Sequence, residues 1–224
     1  MDWQAIRLSL KLAALTTVIL LVLGIPLAAW LTFSKRRWKF LVESVVALPL
    51  VLPPTVLGFY LLLAMSPRSP MGRLYESLTG RLLPFSFQGL LVASILYSLP
   101  FAIQPIAASI AAVPRSLLEA SFCLGESRLA TLVRLVIPMS LPGIVTGMVL
   151  TFAHTLGEFG VVLMIGGNVP GSTRTVSISI YDQVQSLNYA AAGKTSLLLL
   201  AVSFAVLAVT YRMQRSVWAA WPLR

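Results

Sequence analysis

Two ionisable side chains stand out in the apolar stretch "FAHTLGEFG" (152–160): His154 and Glu158. Four residues apart, they would share one face of a helix. An imidazole and a carboxylate at that spacing could act as base and acid, relay protons, or hold two corners of a zinc site. A zinc centre needs at least a third protein ligand, and no candidate lies nearby, so no metal is expected. A membrane-embedded enzyme would need further polar catalytic groups beside them, which the surrounding segments lack, so no catalytic residues are assigned. The reading that remains is a hydrogen-bonded structural pair or a gate element, with Glu158 bracing the backbone around Gly157 and Gly160.

A second stretch, "AAAGKTS" (190–196), ends like a phosphate-binding loop. That loop needs a glycine five residues before the Gly of the GK pair, and Asn188 occupies the position. No hydrophobic strand precedes it either, so the segment is expected to start a helix, and any ATP must be bound by another subunit. The single cysteine, Cys123, excludes an intrachain disulfide and a cysteine-only metal cluster, and reads as a small buried packing residue. No cofactor is expected on this chain.

The elements that carry these residues are set by composition. Of 224 residues, 58% are hydrophobic and 11% charged, far below the roughly 25% charged residues of a soluble domain. Stretches free of Asp, Glu, Lys and Arg run from Leu12 to Ser34, Ser44 to Pro67, Leu82 to Pro114, Leu135 to Gly157 and Thr195 to Tyr211. Most reach the roughly 20 residues that span a bilayer. The expectation is an all-α integral membrane protein, a single domain over 1–224, with five spans near 12–33, 43–65, 88–112, 139–165 and 195–211. The first run is too long for a signal-peptide core and is followed by "SKRRWK" (34–39), not by a cleavage site. The net charge of +10 does not point to nucleic acid, because the basic residues lie scattered at helix ends without an aromatic-basic groove pattern. Anionic membrane lipid and the positive-inside bias account for them. By that rule the loop with Lys35, Arg36, Arg37 and Lys39 is cytoplasmic. Alternation then puts the N-terminus and the loops 66–87 and 166–193 outside, and the segment 113–138 and the C-terminal tail inside.

The segment 113–138 is charged and helix-prone. Leu117, Leu118, Phe122 and Leu124, then Leu129, Leu132, Val133 and Val136, recur among polar residues at helical spacing, which predicts two short amphipathic helices separated by Gly125. Glycine there suits a helix end that needs a left-handed residue. In the second span, Pro49, Pro53 and Pro54 remove backbone donors within about one and a half turns. Irregular backbone at that depth is tolerated where it lines a cavity or is buried in protein, so a pathway-lining kink and a structural bend are both open. Pro100 and Pro105 in the third span read the same way.

Glu119-Ala120-Ser121, Gly125, and Leu135, Ile137 and Pro138 resemble the EAA motif of binding-protein-dependent ABC importer permeases, written E-A-A, three residues, G, nine residues, I-x-L-P. Ser121, Leu135 and Ile137 depart from it by small changes of size. "LPLVLPPTVLGFYLL" (48–62), "LPGIVTGMVLTFAHTLGEFG" (141–160) and "NVPGSTRTVSISIYDQVQS" (168–186) resemble stretches of the molybdate branch, so the likeness covers most of 5–211. Sulfate and tungstate permeases are its nearest neighbours. Many relatives carry Arg at the position of His154, so this chain lacks a cation there.

The resemblance implies a type I importer permease fold in the cytoplasmic membrane of a prokaryote. It implies a homodimer, with the loop 113–138 inserting a coupling helix into a cytoplasmic ATP-binding subunit and an extracytoplasmic oxyanion-binding protein delivering substrate. Within the motif, Glu119 would cap or salt-bridge at the ATPase contact, Ala120 would allow close backbone approach, and Gly125 would make the bend. Five spans are few to enclose a pathway, and a two-fold dimer with the pathway on its axis is the economical solution. Pathway or gate residues are expected among Pro53, Pro54, Thr55, Thr151, His154, Thr155 and Glu158. An oxyanion would be held by neutral donors such as Thr55, Ser98, Thr146, Thr151 and Thr155, while the Glu158 carboxylate would repel it. A sulfate or tungstate permease of the same family is the first alternative, and a proton-driven secondary transporter working through Glu158 is a further one. The latter would favour an inverted repeat, and none is visible.

Overall fold

The computed structural model describes residues 2–219. Met1 and residues 220–224 lie outside the described residues, as do the side chains of 209–210 and 213–219. The expected basic tail side chains Arg215 and Arg224 therefore fall outside them. Among the described residues every regular element is helical.

Helix α1 (Trp3–Phe33) opens the chain, capped by the Asp2 carboxylate, which accepts from the Ala5 N–H at 3.0 Å. Then come α2 (Lys39–Val51), α3 (Pro54–Met65), α4 (Pro70–Thr79) and α5 (Phe87–Ala111). The charged segment forms α6 (Arg115–Cys123), α7 (Arg128–Thr131), a π-helical turn over Leu132–Val136, and α8 (Ile137–Met139). Helices α9 (Leu141–Gly157), α10 (Gly160–Gly166), α11 (Val176–Gln185) and α12 (Tyr189–Ala219) complete the chain.

Three helices are long and apolar enough to cross a membrane alone: α1, α5 and α12 over Tyr189–Ala208. Two broken pairs raise the number to five if each is one span. The second expected span, 43–65, is not a continuous helix: α2 and α3 are bent by 118°. Leu52 is extended (ψ 134°) because a residue before proline is pushed out of the helical region, and Pro53 (ψ 137°) repeats the effect ahead of Pro54. At 1.5 Å per residue each arm is roughly 20 Å long, short of a bilayer core of about 30 Å. The fourth span bends by 70° where the 128–139 segment meets α9, and breaks again at Glu158 and Phe159. The first and last helices extend past the expected limits, starting at Trp3 and Tyr189. The loops 66–87 and 166–193 each hold a short helix, α4 and α11.

Helix α5 is the hub, packed on α1 and α9, with α1 also against α9. The main core joins Leu20, Ala28 and Leu31 of α1 to Ala102, Ile103, Ile106 and Ile110 of α5 and to Val136. Small residues set how close these helices come. A Cβ on Gly143 would collide with the Ser109 side chain and the Pro105 carbonyl, and one on Gly147 would lie 2.8 Å from the Ala102 carbonyl oxygen. Close approach through small residues replaces the hydrophobic drive that is missing between helices in lipid.

Candidate functional site

The spacing of polar residues on two neighbouring helices builds the first part of the site. In α5, Ser94 and Ser98 stand one turn apart. Ser98 Oγ lies 2.9 Å from His154 Nδ1 and 3.0 Å from Thr155 Oγ1, both on α9. The Ser94 hydroxyl donates to Glu158 Oε2 at 3.0 Å. The His154 ring stacks on Phe101, with centroids 4.0 Å apart and planes at 23°, and meets Tyr97 at 4.8 Å.

α9 ends at Gly157, and Glu158, with φ −63° and ψ 135°, turns the chain after it out of the helix, while its own side chain and that of His154 both reach α5, one turn apart. The two residues do not pair with each other; each turns to a different serine of α5. Glu158 is 4% exposed, its Oε1 has no hydrogen-bond partner, and it forms no ion pair among the described residues. Thr151, one turn before Thr155, is buried with its hydroxyl likewise unpartnered.

The break at Glu158 lies against the proline corner of the second span. Gly160, at the start of α10, is so close to Pro54 that a Cβ there would lie 2.6 Å from Pro54 Cβ. Gly58 of α3 meets Met164 of α10 just as tightly, at 2.8 Å. The sequence-selected groups Pro53-Pro54 and His154–Glu158 are thus brought together through α10. Thr55 faces outward and is exposed.

The second part of the site is the hairpin of α6 and α7. Pro114 precedes α6 as its N-cap residue, where its missing N–H costs no helical bond. The helix ends in a Schellman motif: the Glu126 N–H donates to the Ser121 carbonyl at 3.2 Å and the Gly125 N–H to the Phe122 carbonyl at 3.0 Å. Gly125 takes φ +82°, with no atom within 4 Å of a Cβ position. Conformation, not crowding, requires glycine there. Ser127 then caps α7 by accepting from the Ala130 N–H at 3.2 Å. Ser121 Oγ lies 2.9 Å from Thr131 Oγ1 and ties the two helices together, so the residue that departs from the motif's second alanine has a contact of its own. Glu126 and Arg134 pair at 2.9 Å on the exposed side.

Pro138 explains the π-helical turn. A proline in an α-helix lacks the N–H for the i−4 carbonyl and its ring clashes with that carbonyl. Widening over Leu132–Val136, where the Ile137 N–H reaches the Leu132 carbonyl, moves the chain out of the conflict. Leu135 lies inside this turn and Ile137 just beyond it, both half-buried. Helix α6 buries none of its residues: Glu119 and Ala120 are exposed, as are Leu117, Phe122 and Leu124, with Leu129 of α7 beside them.

Ser94, Tyr97 and Phe101, the α5 partners of Glu158 and His154, escape the sequence reading. Their signal is present in "SILYSLPF" (94–101), where hydroxyls recur at the same four-residue interval as His154 and Glu158. The segment 190–196 lies within the opening turns of α12, with the Thr195 hydroxyl donating to the Ala191 carbonyl at 3.0 Å. It is a helix start and not a phosphate loop.

Residues 20–217 match the family described as binding-protein-dependent transport system inner membrane component. The chain is 50% identical over 214 residues to the molybdenum transport system permease protein of Azotobacter vinelandii, covering 96% of this chain and 95% of the relative. It is 38% identical over 186 residues to the protein of the same description from Escherichia coli (strain K12), covering 83% and 81%. In solved structures, its fold resembles that of a bacterial importer of the acidic polysaccharide alginate, with TM-score 0.76 at 19% identity over 96% of this chain and 79% of that one. It also resembles an inward-facing methionine ABC transporter, with TM-score 0.75 at 16% identity over 97% and 96%. With its helical hairpin, its broken spans and a family match across nearly the whole length, the chain belongs to the binding-protein-dependent transport system inner membrane components, as a multi-pass permease.

Proposed function

We propose that this chain is the permease subunit of an ABC importer for molybdate, working as a homodimer with two cytoplasmic ATP-binding subunits and an extracytoplasmic oxyanion-binding protein. The observation that carries the coupling part is the α6–α7 hairpin. It is tied by the Schellman end of α6, the Ser127 cap of α7 and the Ser121–Thr131 contact, and its apolar side chains Leu117, Leu124 and Leu129 are exposed. An apolar face with charges at its rim fits a groove on a partner protein, and Glu119 stands on that rim without an ion-pair partner among the described residues. The substrate rests on the 50% identical relative. Moving a dianion into a negative-inside cell costs about 4.6 kcal/mol at roughly 100 mV, and a separate ATPase is the energy source in this reading.

The orientation follows the positive loop, with "SKRRWK" and the hairpin in the cytoplasm, the N-terminus outside and the C-terminus inside. The α5/α9 cluster of hydroxyls and His154 lies deep in the span region and serves as a pathway or gate element. Glu158 braces the helix break rather than binding an anion.

The test is uptake of labelled molybdate in cells lacking their own high-affinity system, expressing the chain with its ATPase and binding protein. Uptake that needs ATP, survives excess sulfate and is lost in Gly125→Val supports the reading. Uptake abolished by sulfate moves the assignment to a sulfate permease. Uptake that collapses with the proton gradient and persists without ATP overturns the coupling mechanism.

A further inference from the structure

A cavity of about 940 Å³ lies between the last turns of α1 and the α6–α7 hairpin. Its walls are apolar, with Trp30 and Phe33 on the α1 side and Phe122 on the hairpin side. Three cations, Lys35, Arg36 and Arg128, line it as well. All three are exposed. Of the acids on the flanking elements, Glu43 pairs with Lys39 at 3.5 Å and Glu126 with Arg134 at 2.9 Å, and Glu119 of α6, which has no ion pair among the described residues, is not among the residues that line the cavity. Lys35 and Arg128 have no ion pair among the described residues, and Arg36 lies over the Trp38 ring at 5.6 Å. The space therefore keeps a positive rim above an apolar interior.

Its position decides what fits. Helix α1 is long and apolar enough to cross the membrane, and aromatic side chains, Trp30 and Phe33, followed at once by Lys35 and Arg36 form the pattern of a hydrocarbon–headgroup boundary. Basic pockets between spans at this boundary suit anionic lipid headgroups, and arginine with lysine at their rim suits a phosphodiester.

We propose that this cavity binds one anionic phospholipid, with its phosphate between Lys35, Arg36 and Arg128 and an acyl chain along Trp30, Phe33 and Phe122. The lipid would join the end of α1 to the hairpin. Binding itself does not depend on which substrate crosses; only its consequence, lipid-dependent coupling, rests on the function proposed above.

The test uses the permease assembled with its ATP-binding subunits in nanodiscs, probed with phosphatidylglycerol or phosphatidylcholine carrying a photoactivatable acyl chain, and mapped by peptide mass spectrometry. Phosphatidylglycerol is expected to label peptides holding Trp30, Phe33 and Phe122 well above phosphatidylcholine. Labelling falls roughly fivefold for each cation removed in Lys35→Gln, Arg36→Gln and Arg128→Gln, from ~1 kcal/mol per cation near an anionic surface. Because those variants alter exposed side chains, competition on the unaltered protein gives an independent reading: unlabelled phosphatidylglycerol, and not phosphatidylcholine, should suppress the signal. Equal labelling by the two lipids overturns the site. So does labelling of the isolated permease that vanishes on assembly with the ATP-binding subunits, since a protein then fills the cavity. Anionic-lipid labelling that persists while ATP-driven uptake fails supports the site and counts against the proposed function alone.

Discussion

Gly125 and Glu158 are the residues where local geometry bears most directly on function. At φ +82° with open space around it, Gly125 is needed for its backbone and not for its size. A β-carbon there adds about 1–2 kcal/mol of strain. Gly125→Ala is therefore expected to uncouple ATP hydrolysis from uptake, and Gly125→Asn to retain much of the coupling, because asparagine tolerates the left-handed region. Parallel measurement of ATPase rate and uptake checks this, and equal loss in the two variants would mean that size decides. Glu158 has one hydroxyl partner, Ser94, and one bare oxygen. Ser94→Ala strips its last bond and should lower stability by about 1–3 kcal/mol. Glu158→Gln keeps an acceptor for Ser94 and removes the need to bury a carboxylate, so thermal unfolding in detergent should show it at least as stable as the parent. If Glu158→Gln instead unfolds much earlier than Ser94→Ala, the carboxylate has a partner in the assembled transporter.

At the scale of elements, the informative features are two breaks that touch. The Pro53-Pro54 corner and the Glu158 break meet through Gly160, whose missing side chain makes room for Pro54. Gly160→Ala forces the corner and α10 apart and is expected to destabilise the protein by about 1–3 kcal/mol, the usual range for overpacking. Gly157→Ala, three residues earlier with nothing within 4 Å of its Cβ position, should stay close to the parent. Thermal unfolding in nanodiscs separates the two, and similar melting of both would show that the corner yields at little cost. The corner was legible in sequence as a disturbance but not as a 118° turn. Proline removes a donor and restricts its neighbour, yet the angle depends on what the two arms pack against, here α10 and α5. The π-helical turn was not legible either. Pro138 announces a conflict with its upstream carbonyl, and a kink, an end or a widened turn each resolve it.

For the whole molecule, the lone cysteine reports orientation. Cys123 is not the buried packing residue expected from sequence but is exposed on α6, which buries none of its residues, within the segment assigned to the cytoplasm. A membrane-impermeant maleimide should label it in inside-out vesicles and not in intact cells, and assembly with the ATP-binding subunits should protect it. Labelling from outside would invert the topology. The start of the chain is held by contacts from residues far away in sequence. Val176 donates its N–H to Ser9 Oγ at 2.8 Å, and Arg174 reaches Asn168 at 2.6 Å, Asp182 at 3.6 Å and Asp2 at 3.9 Å. These bonds tie the start of α1 to the loop before α11.

What the sequence determined alone was whatever depends on local chemistry: membrane residence, because apolar runs of span length have few other stable environments; the paired helices around Gly125, because glycine and helical spacing act over a few residues; and the family, because the EAA spacing lies within twenty residues of chain. Tertiary structure decided which side chains meet. His154 and Glu158 were read as partners because a helix would place them together, but α5 offers each its own serine, one turn apart. A hydroxyl in an apolar helix gives little warning of such a role, since it can equally bond its own backbone; only the packing of α5 against α9 selects the other choice.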